Sequence, residues 1–300
     1  MRKAKDESKK AQGKSRKQYL LALILIVGGC FAGKTCAQDD FAALAAQIAR
    51  GNSEQKRNAL FQIRNRQTPE ASRLAVPALR DREEIIRATA ARSVVFLPSP
   101  EAVASLLPLL RDKKPFVRRE TAYALGATGD LNAVGALIET IQKDKTQEVR
   151  DAATVALGAI GDVSAVPALA QILQRRPQAK EEFMRRASAR SIGQIAQIIQ
   201  TGNRRVQTPR VAPVARSSNV EFGKYKNLSE TSLVWPRTVA ALVANLQLKD
   251  EFADVKREAA FALGAIGDPS AIPALQANLE AEDYYLAQIV RESLAVIAKL

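Results

Sequence analysis

A short stretch, Ala-Leu-Gly-Ala-Ile-Gly-Asp, occurs at residues 156–162 and again, unchanged, at residues 262–268. A near copy, with Thr in place of Ile, occupies residues 124–130. Repetition of this kind constrains the fold more than any isolated motif, because each copy must serve the same structural purpose. The first question is therefore whether the two glycines and the aspartate form a ligand-binding loop or a joint of a repeating scaffold.

A pair of residues, usually Val-Arg or Val-Lys, marks the start of each repeat unit. The first members of these pairs are Gln55, Ile86, Val117, Val149, Met184, Val255 and Val290, of which Gln55 is the most degenerate. Successive pairs lie 31, 31, 32, 35, 71 and 35 residues apart. One unit therefore contains about 31–35 residues.

Each unit contains two helical stretches. In the unit beginning at Val149, one apolar stripe with helical spacing consists of Val149, Ala152, Ala153, Ala156, Leu157 and Ile160. A second stripe follows at Val166, Leu169, Ile172 and Leu173. Neither short helix can bury its stripe alone, so the units must stack on one another.

The pattern resembles HEAT repeats, in particular the short variety named after phycobilisome-lyase proteins. An aspartate five residues before the Val-Arg pair recurs at Asp81, Asp112, Asp144 and Asp250, and Pro167 and Pro273 match the family's helix proline. The resemblance implies an all-α fold, a right-handed α-α superhelix (HEAT-like solenoid) of about six to seven helix-pair repeats. It covers roughly residues 40–300 apart from one insertion, and the predicted repeat domain is residues 38–300.

The resemblance also implies a ladder of ion pairs between adjacent repeats. Its members would be Asp81, Arg87, Asp112, Arg118, Asp144, Arg150, Asp250 and Lys256. The chemistry agrees, because the guanidinium fork suits a carboxylate. Ala179 stands where the fifth unit should have its aspartate, so the sequence predicts a missing rung there.

In this framework the repeated stretch is a joint between helices. We expect Gly158 to allow close approach of the next helix, Gly161 to adopt a positive φ, and Asp162 to cap the helix that starts near Ser164. The same roles are predicted for Gly126, Gly129 and Asp130, and for Gly264, Gly267 and Asp268. The stretch is not a phosphate-binding loop, because an aspartate follows the last glycine where that loop needs a lysine.

An inserted loop interrupts the repeats at about residues 202–235, where prolines and polar residues replace the apolar stripes. Residues 174–226 carry twelve basic and three acidic side chains, and this excess of nine exceeds the +7 of residues 38–300 as a whole. Such a patch attracts acidic partners. The candidate partner-binding residues are Arg185, Arg186, Arg190, Arg204, Arg205, Arg210, Tyr225 and Trp235.

The first 37 residues resemble an export signal. A basic stretch precedes an uncharged apolar run at residues 19–33, and Thr35 and Ala37 fit a cleavage site before Gln38. Two alternatives are a lipoprotein, with Cys30 acylated, and an uncleaved N-terminal membrane anchor. All three place the repeat domain outside the cytoplasm, in a bacterial-type periplasm or cell envelope.

The residue inventory excludes several chemistries. The chain has no histidine, and both cysteines lie in the leader, so Ser-His and Cys-His nucleophilic catalysis are excluded. One HEAT-like branch is an iron-dependent hydroxylase with His-Glu metal ligands, and its activity cannot be carried over without imidazoles. No Asp-rich calcium loop is present, so neither a cofactor nor a metal is expected.

The sequence therefore predicts a non-enzymatic scaffold of the cell envelope that binds another protein, with an acidic partner or an anionic envelope component favoured by the basic patch. One alternative is a bilin-lyase-like chromophore chaperone, which the resemblance alone suggests. Another is a nucleic-acid-binding protein that uses residues 174–226. Membrane contact is expected only through the N-terminal segment.

Overall fold

In the computed structural model, residues 40–203 and 226–299 are described, and they contain helices and turns but no strand. The helices form seven consecutive pairs, and we call the first helix of each pair A and the second B. The A helices are α1 (residues 40–50), α3 (Pro69–Ala75), α5 (Ser99–Leu106), α7 (Val134–Lys143), α9 (Val166–Leu173), α11 (Val234–Gln247) and α13 (Ile272–Gln276). The B helices are α2 (Ser53–Arg66), α4 (Glu84–Ser93), α6 (Pro115–Thr128), α8 (Gln147–Ile160), α10 (Glu182–Thr201), α12 (Ala253–Ile266) and α14 (Tyr284–Ile297).

The pairs stack in two layers. Each B helix packs against the B helix of the next repeat, and α5, α7, α9, α11 and α13 each pack against their own B helix. The predicted all-α solenoid of helix pairs is confirmed. Both apolar stripes of the sequence unit that begins at Val149 are buried, on α8 and α9, and Val149, Leu157 and Leu169 are fully shielded from solvent.

The repeated stretch is a joint, as predicted. A Cβ added to Gly158 would lie 2.4 Å from Ser191 Oγ, and one on Gly126 would lie 2.7 Å from the Cα of Ala156. Adjacent B helices therefore meet at a residue without a side chain, which lets their backbones approach closely. The corresponding Gly264 meets Ser293 in the same way, at 2.5 Å.

The second glycine of each copy ends its B helix in the left-handed conformation. The φ angles of Gly129, Gly161 and Gly267 are 65°, 82° and 77°. The aspartate that follows then accepts a hydrogen bond from a backbone amide two residues later and caps a short 3-10 turn: Asp130 from Asn132, Asp162 from Ser164 and Asp268 from Ser270. These side chains are committed to local structure.

A serine hydrogen bond fixes how three pairs of B helices fit together. Ser93 Oγ donates to the Leu60 carbonyl at 3.1 Å, and Ser191 Oγ donates to the Thr154 carbonyl at 3.0 Å. Ser293 Oγ donates to the Ala260 carbonyl at 2.9 Å. Each bond is buried and bridges two repeats, so it satisfies the hydroxyl without disturbing the apolar layer.

The last repeat has a different register from the one that the sequence suggested. Ser93 and Ser191 each lie seven residues after the first residue of their pair, Ile86 and Met184. The equivalent serine is Ser293, so the pair position in α14 is Leu286 and not Val290. The error is one helical turn, since the apolar-basic pair Val290-Arg291 lies on the same face four residues after Leu286-Ala287, which has no basic member.

Candidate partner-binding groove

The ladder arginines join the loop of their own repeat to the loop of the next. Arg87 binds Asp112 with two hydrogen bonds, of 2.7 and 2.9 Å, and donates to the Asp81 carbonyl at 2.9 Å. Arg118 repeats this arrangement with Asp144, at 2.6 and 2.9 Å, and with the Asp112 carbonyl. One guanidinium therefore holds three chain segments together.

The carboxylates of this ladder are stabilised in their charged form. Burial raises the pKa of Asp112, but the hydrogen bonds from Arg87 and from the Lys114 amide outweigh it and hold the pKa below its ordinary value. The pKa of Asp144 is also lowered, where the hydrogen bond from Arg118 and that from the Thr146 amide outweigh burial. Both groups serve the stack and are not poised for proton transfer.

The fourth repeat has no rung toward the fifth. Arg150 donates to the Asp144 carbonyl at 2.7 Å and to the Gln147 side chain, and no carboxylate pairs with it in the described part of the chain. The reason is Ala179, which occupies the aspartate position as predicted. The first rung of the ladder is the ion pair between Lys56 and Asp81, at 2.6 Å. Asp81 was a predicted ladder member, whereas Lys56 was not.

Arg150 is thus a predicted ladder member that forms no rung, and two further predicted members are wrong. Asp250 is exposed, and its neighbour Glu251 takes the position that the aspartate was expected to fill. Lys256 makes no ion pair within the described residues, and Arg257 binds Asp283 at 2.8 Å instead. In each case the next residue along the chain makes the inter-repeat ion pair instead, Glu251 with Arg185 and Arg257 with Asp283.

Arg185 is also a correction, because it does not belong to an accessible basic patch. It is fully buried and pairs with Glu251, whose carboxylate is buried too. Arg185 also donates to Asn245 Oδ1 at 2.5 Å, to the Ile172 carbonyl at 3.1 Å and to the Arg175 carbonyl at 2.7 Å. It is the rung between the fifth and sixth repeats, so no partner can reach it.

Arg186 and Arg190 lie on the exposed face of the same helix and pair across to α12. Arg186 binds Asp254 at 3.0 Å, and Arg190 binds Glu258 at 2.9 Å. Arg92 and Glu120 form the equivalent of the second pair between α4 and α6, at 3.1 Å. The B-helix face thus carries a further set of inter-repeat ion pairs, which the sequence analysis missed.

The Arg186–Asp254 and Arg190–Glu258 pairs line a groove of about 590 Å³ on the B-helix face. It runs across α8, α10, α12 and α14, and we refer to it below as the groove. Its apolar lining includes Val155, Phe183, Tyr285 and Ile289, and its charged lining consists of Arg186, Arg190, Asp254, Arg257 and Glu258. Two of the predicted partner-binding residues, Arg186 and Arg190, therefore lie in one cleft.

Two arginines of the groove stack on aromatic rings. The guanidinium carbon of Arg186 lies 5.2 Å from the ring centre of Phe183, and that of Arg257 lies 5.2 Å from the ring centre of Tyr285. The two aromatic residues remain 42% and 43% exposed. These cation–π contacts help to hold each guanidinium in place, and both arginine side chains remain partly exposed.

Glu258 is the most perturbed acid of the groove. Burial raises the pKa of its carboxyl above the ordinary value, and the nearby Arg190 only partly offsets this effect. Its neighbour Asp254 accepts hydrogen bonds from both Arg186 and Arg257, so both of its oxygens are occupied.

Trp235, another candidate residue, does not join the groove. Trp235 is 1% exposed and lies in the first turn of α11, which begins at Val234, so the insertion ends two residues earlier than predicted. A buried ring cannot anchor a partner. Arg204, Arg205, Arg210, Tyr225 and Cys30 lie outside the described residues.

The ends of the insertion meet at one side chain. The Gln200 amide donates to the Lys226 carbonyl at 2.5 Å and accepts from the Lys226 amide at 2.9 Å. Gln200 therefore holds Lys226 beside the end of α10, and α10 and α12 pack directly on each other.

Comparisons with known proteins agree with this architecture. Residues 41–126 and 104–193 match the family model of HEAT repeats, which together is just over half of the 300-residue chain. The chain belongs to the HEAT-repeat family. A further segment of this HEAT-repeat protein, residues 255–281, matches the PBS lyase HEAT-like repeat. No curated protein matches its sequence.

Solved structures resemble the HEAT-repeat protein in fold. An engineered protein is 19% identical over 86% of this chain and 68% of its own, with a TM-score of 0.54. The complex of CpcE and CpcF of phycocyanin lyase from Nostoc sp. PCC7120 is 21% identical over 86% and 92%, with a TM-score of 0.44. Human deoxyhypusine hydroxylase is 19% identical over 89% and 99%, with a TM-score of 0.37. At these identities the likeness concerns the fold alone.

Among the described residues of the HEAT-repeat protein, no three or more His, Cys, Asp or Glu side chains are grouped so that they could hold a metal ion. Among the helices of residues 40–203 and 226–299, none combines the length and apolar character needed to cross a bilayer. The groove, with its aromatic and arginine lining, is a concave feature of this region whose side chains suit recognition.

Proposed function

We propose that this HEAT-repeat protein is a non-enzymatic scaffold that binds a partner protein in the groove. The observation that carries the proposal is the exposure of Phe183 and Tyr285 beside stacked arginines, in a cleft that spans four consecutive B helices. Aromatic residues and arginine are the types most enriched where protein interfaces gain their energy. A stack of repeats presents such a surface without needing a catalytic centre.

We further propose that the protein acts in the cell envelope. The support is the leader of residues 1–37, with its basic stretch, uncharged apolar run and small residues before Gln38. Sequencing the N-terminus of the protein purified from its native cells tests this proposal. A mature chain that begins at Gln38 supports cleavage, and one that begins at an acylated Cys30 supports the lipoprotein alternative, whereas an intact leader in the cytoplasmic fraction contradicts export.

Affinity capture from solubilised cell envelopes tests the scaffold. Three baits are compared: the wild-type chain, Arg190→Glu, and Arg111→Glu as a matched control. Arg111 is exposed and lies on the A-helix side, away from the groove. We expect the control to retain the wild-type partners, and Arg190→Glu to lose at least one of them.

A bait that lacks residues 204–225 separates the groove from the insertion. If the groove carries recognition, this bait keeps the partners that Arg190→Glu loses. If Arg190→Glu keeps every wild-type partner while the deletion loses them, recognition belongs to the insertion and the proposed role of the groove is wrong.

A further inference from the structure

We infer that the stack contains a hinge between its fourth and fifth repeats, at the joint of α8 and α10, and that bending there changes the width of the groove. Such a hinge is independent of whether the groove binds a protein, so it goes beyond the proposed function. The evidence is the distribution of ion pairs and hydrogen bonds along the stack.

Ion pairs cross five of the six joints between consecutive repeats. The five ladder rungs at these joints are, in chain order, Lys56–Asp81, Arg87–Asp112, Arg118–Asp144, Arg185–Glu251 and Arg257–Asp283. Within the described residues, no ion pair joins the fourth repeat to the fifth, and those of Lys143 and Arg175 stay inside their own repeats. Because a charge-assisted pair fixes both distance and orientation, this joint lacks a restraint that the others have.

The arginine at the rung position of α8 bonds only within its own repeat. Arg150 donates to the Asp144 carbonyl at 2.7 Å and to the Gln147 side chain. The loop of the fifth repeat offers Ala179, which has no polar side chain. At this end of the B helices, Gln147 Nε2 donates to the Met184 sulfur across the joint, at 3.5 Å. A thioether is a weak acceptor, so this contact restrains the two repeats little.

Farther along the two helices the joint is held firmly. Ser191 Oγ donates to the Thr154 carbonyl at 3.0 Å, and a Cβ on Gly158 would lie 2.4 Å from the same oxygen. A Cβ on Gly161, just after α8, would lie 2.7 Å from Ile198 Cδ1. The first turns of α8 and α10 lack an ion pair and depend mainly on apolar packing, which is not directional. The two helices can therefore splay at their N-terminal ends while Ser191 stays in contact.

The groove crosses this hinge. Its lining on α8 is Val155, whereas Phe183, Arg186 and Arg190 lie on α10. Ion pairs join α10 to α12 and to the loop before it, and join α12 to the residue that precedes α14. The walls formed by α10, α12 and α14 therefore move together, and α8 moves against them. Splaying of α8 from α10 draws Val155 away from Phe183 and widens the cleft.

Pulsed electron paramagnetic resonance between pairs of spin labels tests the hinge in the full chain. Cys30→Ser and Cys36→Ser remove the native thiols. Labels are attached to single cysteines that replace exposed residues of the loops between A and B helices: Arg82, Lys113, Lys145, Lys180 and Glu282.

Three labelled pairs each span two joints. Arg82/Lys145 lies within the second to fourth repeats, Lys180/Glu282 lies within the fifth to seventh, and Lys113/Lys180 crosses the hinge. We expect the Lys113/Lys180 distance distribution to be at least twice as wide as either of the other two. Equal widths for the three pairs would contradict the hinge. A Lys180/Glu282 distribution as wide as that of Lys113/Lys180 would also overturn it, because the spread would then come from the loop of Lys180.

Removal of a rung elsewhere tests the origin of the hinge. Arg118→Met breaks the rung between the third and fourth repeats, so it should widen the Arg82/Lys145 distribution toward that of Lys113/Lys180. Arg111→Met, in an exposed ion pair across the same joint, is the matched control and should leave the distribution unchanged. Circular dichroism checks that each variant is folded. A distribution that stays narrow in folded Arg118→Met would overturn the inference, since a missing rung would then not free a joint.

Discussion

Arg185 and Glu251 are 66 residues apart in the chain and form a buried ion pair between the fifth and sixth repeats. The rungs formed by Arg87 and Arg118 span only 25 and 26 residues, so the extra length is the insertion. The pair keeps α10 against α12, and both helices line the groove. The candidate binding surface therefore depends on a contact that crosses the one interruption of the repeat.

Replacing one member of this ion pair with an apolar residue should strongly destabilise the folded protein. Arg185→Met leaves the Glu251 carboxylate buried without its partner, and we expect a loss of about 3–5 kcal/mol in the free energy of unfolding. Urea denaturation followed by circular dichroism measures it. Arg186→Met, on the same helix but in a partly exposed ion pair, should cost about 1 kcal/mol or less.

The double variant Arg185→Met/Glu251→Leu distinguishes a lost charge pair from a lost packing contact. Replacing both charges with apolar side chains removes the unpaired carboxylate, so the double variant should be more stable than Arg185→Met alone. A double variant that is less stable than both single variants would show that the pair holds the repeats mainly by shape.

Because the B helices approach closely at Gly158, alanine substitutions at Gly158 and at Gly135 should differ in their effect on stability. Gly158→Ala places a Cβ 2.4 Å from Ser191 Oγ, and overpacking of this kind costs about 1–3 kcal/mol. Gly135→Ala in α7 is the matched control, because nothing lies within 4 Å of its Cβ position. It should be neutral or stabilise by up to about 1 kcal/mol, since the unfolded chain loses freedom. Equal melting temperatures for the two variants would contradict the packing described here.

The ladder aspartates predict a stability loss in acid. The pKa values of Asp112 and Asp144 lie below the ordinary value, about 3.9 for aspartate. Their contribution is therefore complete above that value and is lost as the pH falls through the lower pKa of the folded state. Between pH 5 and pH 3, the free energy of unfolding should fall less in Asp112→Asn/Asp144→Asn than in the wild type. Asp250→Asn, at an exposed site, should follow the wild type.

Removal of the insertion should leave the stack intact. Gln200 holds Lys226 beside the end of α10, so a short Gly-Ser linker can replace residues 204–225 without moving α10 or α11. We expect the melting temperature to change by less than about 4 °C, the shift that 1 kcal/mol produces in a domain of this size. If the deletion variant instead unfolds in two separate transitions, the insertion is needed for the repeats before it and the repeats after it to unfold as one unit.

The sequence predicted the repeating parts of the molecule well, because each signal occurs several times. Three copies of one joint identified Gly158, Gly161 and Asp162 as structural residues, and Ala179 marked the missing rung. These inferences need only local spacing, which helix geometry fixes to within a turn.

The prediction failed where a contact depends on non-local pairing. Arg185 was taken as part of a surface patch because its partner lies beyond the insertion, and no local pattern distinguishes a buried arginine from an exposed one. The useful signal was the spacing of 71 between Met184 and Val255, which is one repeat plus 40 residues. These 40 extra residues, added to the 25 or 26 residues that the other rungs span, lead from Arg185 to Asp250 and Glu251, just before α12.

The groove itself could not be predicted, since it combines side chains from four helices. Phe183, Arg257 and Tyr285 carry no sequence motif, and their importance appears only when the B helices are placed side by side. Arg186 and Arg190 were selected for their charge, but the excess in residues 174–226 did not indicate that Asp254 and Glu258 bind them.

Photo-crosslinking from inside the groove tests the central claim most directly. The photoreactive amino acid p-benzoylphenylalanine replaces Phe183 in the groove or, as a matched control, Phe61, which is 38% exposed and also stacks with an arginine but lies in the second helix of the stack. After irradiation of intact native cells, the Phe183 variant should yield a discrete crosslinked protein that is absent with Phe61 and lost when Arg190→Glu is added. Identical crosslinks from both positions, or none from Phe183 while Phe61 gives one, would contradict the groove as the partner-binding site.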